Sequence, residues 1–141
     1  VGQAGKNFSE FLNILEIQRE DVYITNVVKY RPTRLNTKTN RLANRTPTLK
    51  EINDFRGYLY EEINIINPKI IVTLGNIPLR GIFHRDLKIG DVHGQNMEKV
   101  IMGNTYNIFS LYHPAAIIYR RELKEIYIDD LLILKKIIKN F

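Results

Sequence analysis

Tyr106-Asn107-Ile108-Phe109-Ser110-Leu111-Tyr112-His113-Pro114-Ala115-Ala116-Ile117-Ile118-Tyr119-Arg120 is the stretch that decides the fold. The apolar run from Tyr106 reads as a buried strand. It hands a histidine to the strand's end, and Pro114 then turns the chain, because a proline ring cannot donate to a ladder. Apolar residues and Arg120 follow in a loop or first helical turn. In an open α/β sheet, ligands bind outside the C-terminal ends of the strands. A histidine delivered there is placed for chemistry.

Working outward, two more segments read as buried strands. Val22-Tyr23-Ile24-Thr25-Asn26-Val27-Val28 is rich in β-branched residues. Lys69-Ile70-Ile71-Val72-Thr73-Leu74-Gly75 ends at a glycine. Helical spacing separates them. Phe8, Phe11, Leu12, Ile14 and Leu15 predict a helix over about 7–16, with Asn7 and Ser9 as candidate caps. Thr48-Leu49-Lys50-Glu51 matches a capping box and opens a helix to about Ile66, which Asn67-Pro68 stops. Residues 77–83 predict a short helix, 86–105 a loop or short hairpin, and 121–139 a last helix. This alternation predicts a three-layer α/β/α sandwich around a small, mostly parallel sheet. Three strands make a thin sheet. Val1-Gly2-Gln3-Ala4-Gly5-Lys6 reads like the inside of a glycine-bearing loop. The expectation is therefore a single domain over 1–141, N-terminally incomplete, with its first strand upstream of Val1.

The composition, 44% hydrophobic and 26% charged over 141 residues, is that of an ordinary soluble globular protein. No apolar run approaches the ~18 residues of a membrane span, no signal-peptide pattern opens the chain, and the cytoplasm is the default location. Cysteine is absent, which excludes disulfides, thiol nucleophiles and thiolate metal sites within these residues. The net charge of +6 is concentrated. Lys29, Arg31, Arg34, Lys38, Arg41, Arg45 and Lys50 fall in one stretch without an Asp or Glu. Rich also in Asn and Thr, that stretch reads as a long exposed loop suited to a phosphate backbone.

Three strand ends carry polar residues or glycine: Asn26, Gly75-Asn76, and His113-Pro114-Ala115. Parallel strands would bring all three to one edge, from which the basic loop also leaves. With these residues in this order, the chain resembles the uracil-DNA glycosylase superfamily, most of all its family-4 branch. Val1-Gly2-Gln3-Ala4-Gly5 resembles the loop opening the first helix. Arg19 to Pro32 resembles the second strand and its exit, Asn67 to Gly75 the third, and His113-Pro114-Ala115 the late histidine motif.

The resemblance implies an enzyme that flips deoxyuridine out of single- or double-stranded DNA and hydrolyses its N-glycosidic bond. His113 matches the histidine that stabilises charge developing on the uracil oxygen. Asn26 matches the asparagine that reads the base edge, since an amide both donates and accepts. Gly2 and Gln3 fall in the substrate loop. Ile117 and Ile118 stand where the family has its wedge. Gly75, Asn76, Pro114, Ala115 and Arg120 join Lys29, Arg31, Arg34, Lys38, Arg41 and Arg45 as expected DNA contacts. A monomer without membrane attachment is expected.

The departures are equally specific. Many family-4 members hold an iron–sulfur cluster on four cysteines. Tyr30 and Phe55 stand at the last two ligand positions, where they are expected to fill the space by packing, so no cluster is expected. His84 and His93 read as surface or loop residues, with lining of the cleft by His93-Gly94 a weaker reading, and Asp129 and Asp130 as solvated charges or caps to basic side chains. The insertion over 33–46 is longer than in the typical member. The family's acidic or amide water-positioning residue and its uracil-stacking aromatic would precede Val1. A non-catalytic nucleic-acid-binding domain of the same fold is thus the alternative, with a small-molecule-binding α/β domain behind it.

Overall fold

The computed structural model describes residues 3–141. The elements run α1 (Gln3–Leu15), β1 (Thr33–Asn36), β2 (Arg41–Asn44), α2 (Leu49–Ile66), β3 (Ile71–Leu74) and α3 (Asn76–Phe83). They continue with α4 (Ile89–Val92), β4 (Asn96–Ile101), β5 (Asn104–Leu111), α5 (Pro114–Tyr119) and α6 (Lys124–Lys139).

The strand Asn104–Leu111 sits at the centre of its sheet. It pairs parallel with β3, from Ile71↔Ile108 to Leu74↔Leu111, and antiparallel with β4, from Asn96↔Phe109 to Ile101↔Asn104. Side chains alternate across a strand, and here that alternation builds two cores. Tyr106 and Ile108 enter a cluster with Ile52, Leu59 and Ile63 of α2 and Leu79 and Ile82 of α3. Phe109 and Leu111 enter a second one with Phe11, Leu12 and Leu15 of α1 and Leu131 and Leu134 of α6. Helices thus cover both faces, as the α/β reading required. Inside the sheet, the buried Thr73 hydroxyl donates to Ser110 at 2.8 Å.

Thr48 caps α2 through the expected box: its side chain accepts from the Glu51 N–H, and the Glu51 carboxylate accepts from the Thr48 N–H. Asn67 in the left-handed conformation ends the helix. One charge is buried on this helix's apolar stripe. Arg56 lies between Ile52 and Leu59, and its guanidinium donates to Gly81 O at 3.0 Å and Arg80 O at 2.9 Å. These carbonyls lie in the last turn of α3, where a cation meets the negative end of the helix dipole.

Several expectations are corrected. Residues 22–28 form no strand. Tyr23 and Ile24 are exposed, while Val27 and Val28 insert between α2 and α3. A strand needs a neighbour for its backbone N–H and C=O groups, and none lies beside this segment among the described residues. The sheet has one parallel and one antiparallel pairing rather than mostly parallel ones. The difference comes from 86–105, which holds α4 and β4, the latter turning at Met102-Gly103 into β5. The first helix begins at Gln3, so Asn7 and Ser9 lie inside it instead of capping it. Ser9 bonds back to Gly5 O, and the Asn7 amide donates to Pro114 O at 3.3 Å.

The basic stretch is not a loop throughout. Its centre is an antiparallel hairpin, β1 with β2, in register Thr33↔Asn44 to Asn36↔Arg41. Asn36 and Asn40 make the turn. The Asn36 side chain accepts the Lys38 N–H at 3.0 Å, and Asn40 takes a left-handed φ of 55°.

Candidate active site

The two parallel strands β3 and β5 end side by side. The Gly75 N–H donates to Leu111 O at 2.8 Å, which locks the exits together. Gly75 has φ +87°, and a Cβ there would stand 3.3 Å from the His113 Cβ. Glycine is required at this point both by the backbone and by the closeness of the histidine.

His113 is the N-cap of α5, with Pro114 in the first helical position. Its Nδ1 accepts the Ala115 N–H at 3.0 Å. An accepting Nδ1 carries no proton, so in the neutral ring the proton sits on Nε2, which faces outward as a donor. Burial pushes the imidazole below its ordinary value, which favours this neutral form. The sequence thus delivers an uncharged, oriented N–H donor to the sheet edge.

Behind it, a pair that sequence reading missed supports the strand end. His93 Nδ1 lies 2.7 Å from Asp130 Oδ2, and the His93 ring packs on Tyr112 with centroids 5.0 Å apart. Asp130 is buried on α6, and desolvation raises its carboxyl above the ordinary range against the opposing pull of His93. Gly94, at φ +73°, leaves room for that carboxylate. His93 is therefore a partnered loop residue, and of the two readings for Asp130 it is the partner to a basic side chain, not the solvated charge, that the geometry matches. The available signal was the position of Asp130 on the apolar stripe with Tyr127, Leu131 and Leu134.

The remaining predicted site residues divide. Gly75, His113, Pro114 and Ala115 come together. The Asn76 side chain accepts the Ile89 N–H at 2.7 Å, tying α3 to α4 beside them. Ile117 is partly buried against the α1–α6 core, whereas Ile118 is exposed and Tyr119 more so. Arg120 pairs with Glu122 at 3.1 Å. Asn26 is exposed on the segment outside the sheet, and no hydrogen bond joins it to His113 among the described residues. Gln3 opens α1, and Gly2 lies outside the described residues.

The cations also divide. The Lys29 ammonium donates to Glu62 at 2.7 Å, to Thr25 at 2.8 Å and to Asn26 O at 2.5 Å. Tyr23 joins it on Glu62 at 2.5 Å. Burial pushes the Glu62 carboxyl up, but Lys29, Tyr23 and Thr25 outweigh it and hold the group below its usual value. Arg45 forms a two-pronged pair with Glu51 at 2.5 and 3.0 Å. With the Thr48 N–H and Tyr30, it holds that carboxyl far below the usual range. Lys29 and Arg45 are thus turned inward. Arg34, Lys38 and Arg41 are exposed and among the described residues have no carboxylate partner, and there Arg31 donates only to the neutral Asn44.

Tyr30 and Phe55 pack with tilted rings, centroids 5.5 Å apart, but Tyr30 is half exposed rather than core. Its hydroxyl is spent on Glu51. Two aromatic rings and a chain without cysteine supply no thiolate to an iron–sulfur cluster, so the residues here do not fit that group.

The chain thus sets an oriented neutral histidine at a parallel strand exit of an α/β/α fold and carries a separate cationic hairpin. The family model described as uracil DNA glycosylase superfamily matches residues 1–132. The chain is 39% identical over 134 residues to a type-4 uracil-DNA glycosylase of Archaeoglobus fulgidus, covering 92% of this chain and 63% of that protein. It is 34% identical to the type-4 enzyme of Thermotoga maritima, covering 99% and 68% respectively. A DNA polymerase of Bacillus phage SP01 is 33% identical over 141 residues, a match spanning 14% of the polymerase. The chain belongs to the uracil-DNA glycosylase superfamily and is similar to its type-4 members. Among the described residues, no helix is long and apolar enough to cross a membrane.

Proposed function

We propose that this chain carries the histidine half of a uracil-DNA glycosylase site, acting on deoxyuridine flipped from DNA. The observation that carries the reading is His113, neutral, capped at Nδ1 and presenting Nε2–H at the strand exit. The bond between sugar C1′ and uracil N1 breaks with its electron pair going to the base. Negative charge spreads onto a ring oxygen, and His113 Nε2–H donates to it as it develops. Water completes the hydrolysis. Its oxygen bonds to C1′, and its hydrogens end on the new sugar hydroxyl and on the released uracil. Asn26 reads the base edge in this scheme, which requires the exposed stretch 23–26 to approach His113 when DNA binds, with Val27 and Val28 staying anchored in the core. Ile118 and Ile117 follow the histidine as the wedge, the exposed Ile118 first.

The deciding experiment measures uracil release from single- and double-stranded DNA by the full-length protein. His113→Ala is expected to lower kcat by ~10²–10³-fold with KM little changed, as for loss of one donor to a developing oxyanion. No release by the parent protein would sink the reading. It would leave the second one, a non-catalytic DNA-binding domain within a larger protein, which the resemblance to a short part of a DNA polymerase favours.

A further inference from the structure

The hairpin β1–β2 has two unlike faces. Leu35 and Leu42 stand directly opposite each other on one, and Arg34 and Arg41 lie on the other. A cross-strand pair in this relation touches, with Cβ atoms ~5 Å apart. Yet the leucines are 56% and 73% exposed, and the hairpin packs chiefly on itself, without extensive contact to any other element. A leucine pair presented to water on a projecting ribbon is not explained by the core.

The surroundings select the occupant. The stretch from Lys29 to Lys50 holds no acidic residue. Lys38 is at the tip, and each strand carries one arginine that has no carboxylate partner among the described residues. A two-stranded ribbon fits a DNA groove. With its leucine face against the bases, its two edges face the two phosphate walls. Arg34 on one strand and Arg41 on the other are long enough to fold around those edges, one to each wall. Leucine is among the side chains that enter base steps as wedges.

Resting on the DNA-binding reading above, we propose that Leu35 and Leu42 form a second base-contacting wedge, separate from α5, that unstacks DNA away from the flipped nucleotide.

The test uses the full-length protein with His113→Ala, so that base release is slow on the timescale of the binding measurement. Binding is followed on uracil-containing duplexes in which the fluorescent base 2-aminopurine is moved along the strand. Two unstacking positions are expected, one at the uracil and one remote. Leu35→Ser with Leu42→Ser should abolish the remote signal and weaken binding about tenfold, with the thermal melt unchanged, as befits exposed positions. Leu35→Phe with Leu42→Phe should restore the signal. Equal affinity and an unchanged remote signal in the serine variant would overturn the proposal and point to a protein partner for this face. Absence of DNA binding by the parent protein would instead overturn the DNA reading itself, a result visible before any hairpin variant is made.

Discussion

At the scale of single residues, His113 links protonation to structure. Its cap bond to Ala115 needs an unprotonated Nδ1, and burial lowers its folded-state pKa below the ordinary imidazole value. Between those two values the unfolded chain holds a proton that the folded chain does not. Stability therefore rises with pH through that window and is lost as pH falls through it. The expected result is an NMR titration of the His113 ring with its midpoint below 6.5, the ordinary value. The kcat for uracil release should stay level down to that midpoint and fall beneath it. A midpoint above 6.5 would contradict the partly desolvated, capping ring. The histidine and its proline were legible in sequence because strand, exit and turn are consecutive. His93–Asp130 was not, because its members lie 37 positions apart and only folding brings them together. Arg56 and Asp130 share one readable sign: each is a charge on an otherwise apolar helical stripe, where burial is tolerated only with a partner.

At the scale of elements, local rules held where the determinants are local. The Thr48–Glu51 box and Asn67 fixed both ends of α2 as read. Segment 22–28 shows the opposite case. Its β-branched composition is a strand signal, but strand preference expresses packing against neighbours, and here the neighbours are helices. A Cβ at Gly81 would stand 2.8 and 3.0 Å from the two methyls of Val27. Gly81→Ala should therefore cost about 1–3 kcal/mol in urea unfolding, as overpacking does. Val27→Ala in the same background should recover part of that loss. Strict additivity of the two substitutions would mean that Val27 does not seat on α3. The hairpin escaped sequence reading because asparagines, threonines and arginines dominate it. The mirrored leucines at 35 and 42 around Asn36 and Asn40 were the signal.

At the scale of the whole molecule, formal charge overstates what DNA can meet. Lys29 and Arg45 are neutralised by Glu62 and Glu51, and Lys50 pairs with Asp54 at 2.8 Å. Among the described residues, Arg31, Arg34, Lys38 and Arg41 have no carboxylate partner. The logarithm of DNA affinity should then fall against that of salt with a slope of about −3 to −4, whereas all the cations of the stretch together would give about −5 to −6. Filter binding across a salt series measures it. The steeper value would mean that DNA pulls Lys29 and Arg45 off their carboxylates. The α/β class and the helix layers were legible from periodicity. The mixed sheet was not, because β4 is a ladder partner that its glycine-flanked sequence does not announce.

The neck of the hairpin carries a consequence for how this protein can change over evolutionary time. The Arg45 N–H donates to Pro32 O at 3.1 Å, so the chain is already closed on itself where the ribbon begins. Everything from 33 to 44 is an appendage on that clasp. Lineages can lengthen it, rewrite it or discard it while Val28 and Ile52 keep their places in the core. On the DNA-binding reading proposed above, the nucleic acids such a domain grips can change without any change in how it folds.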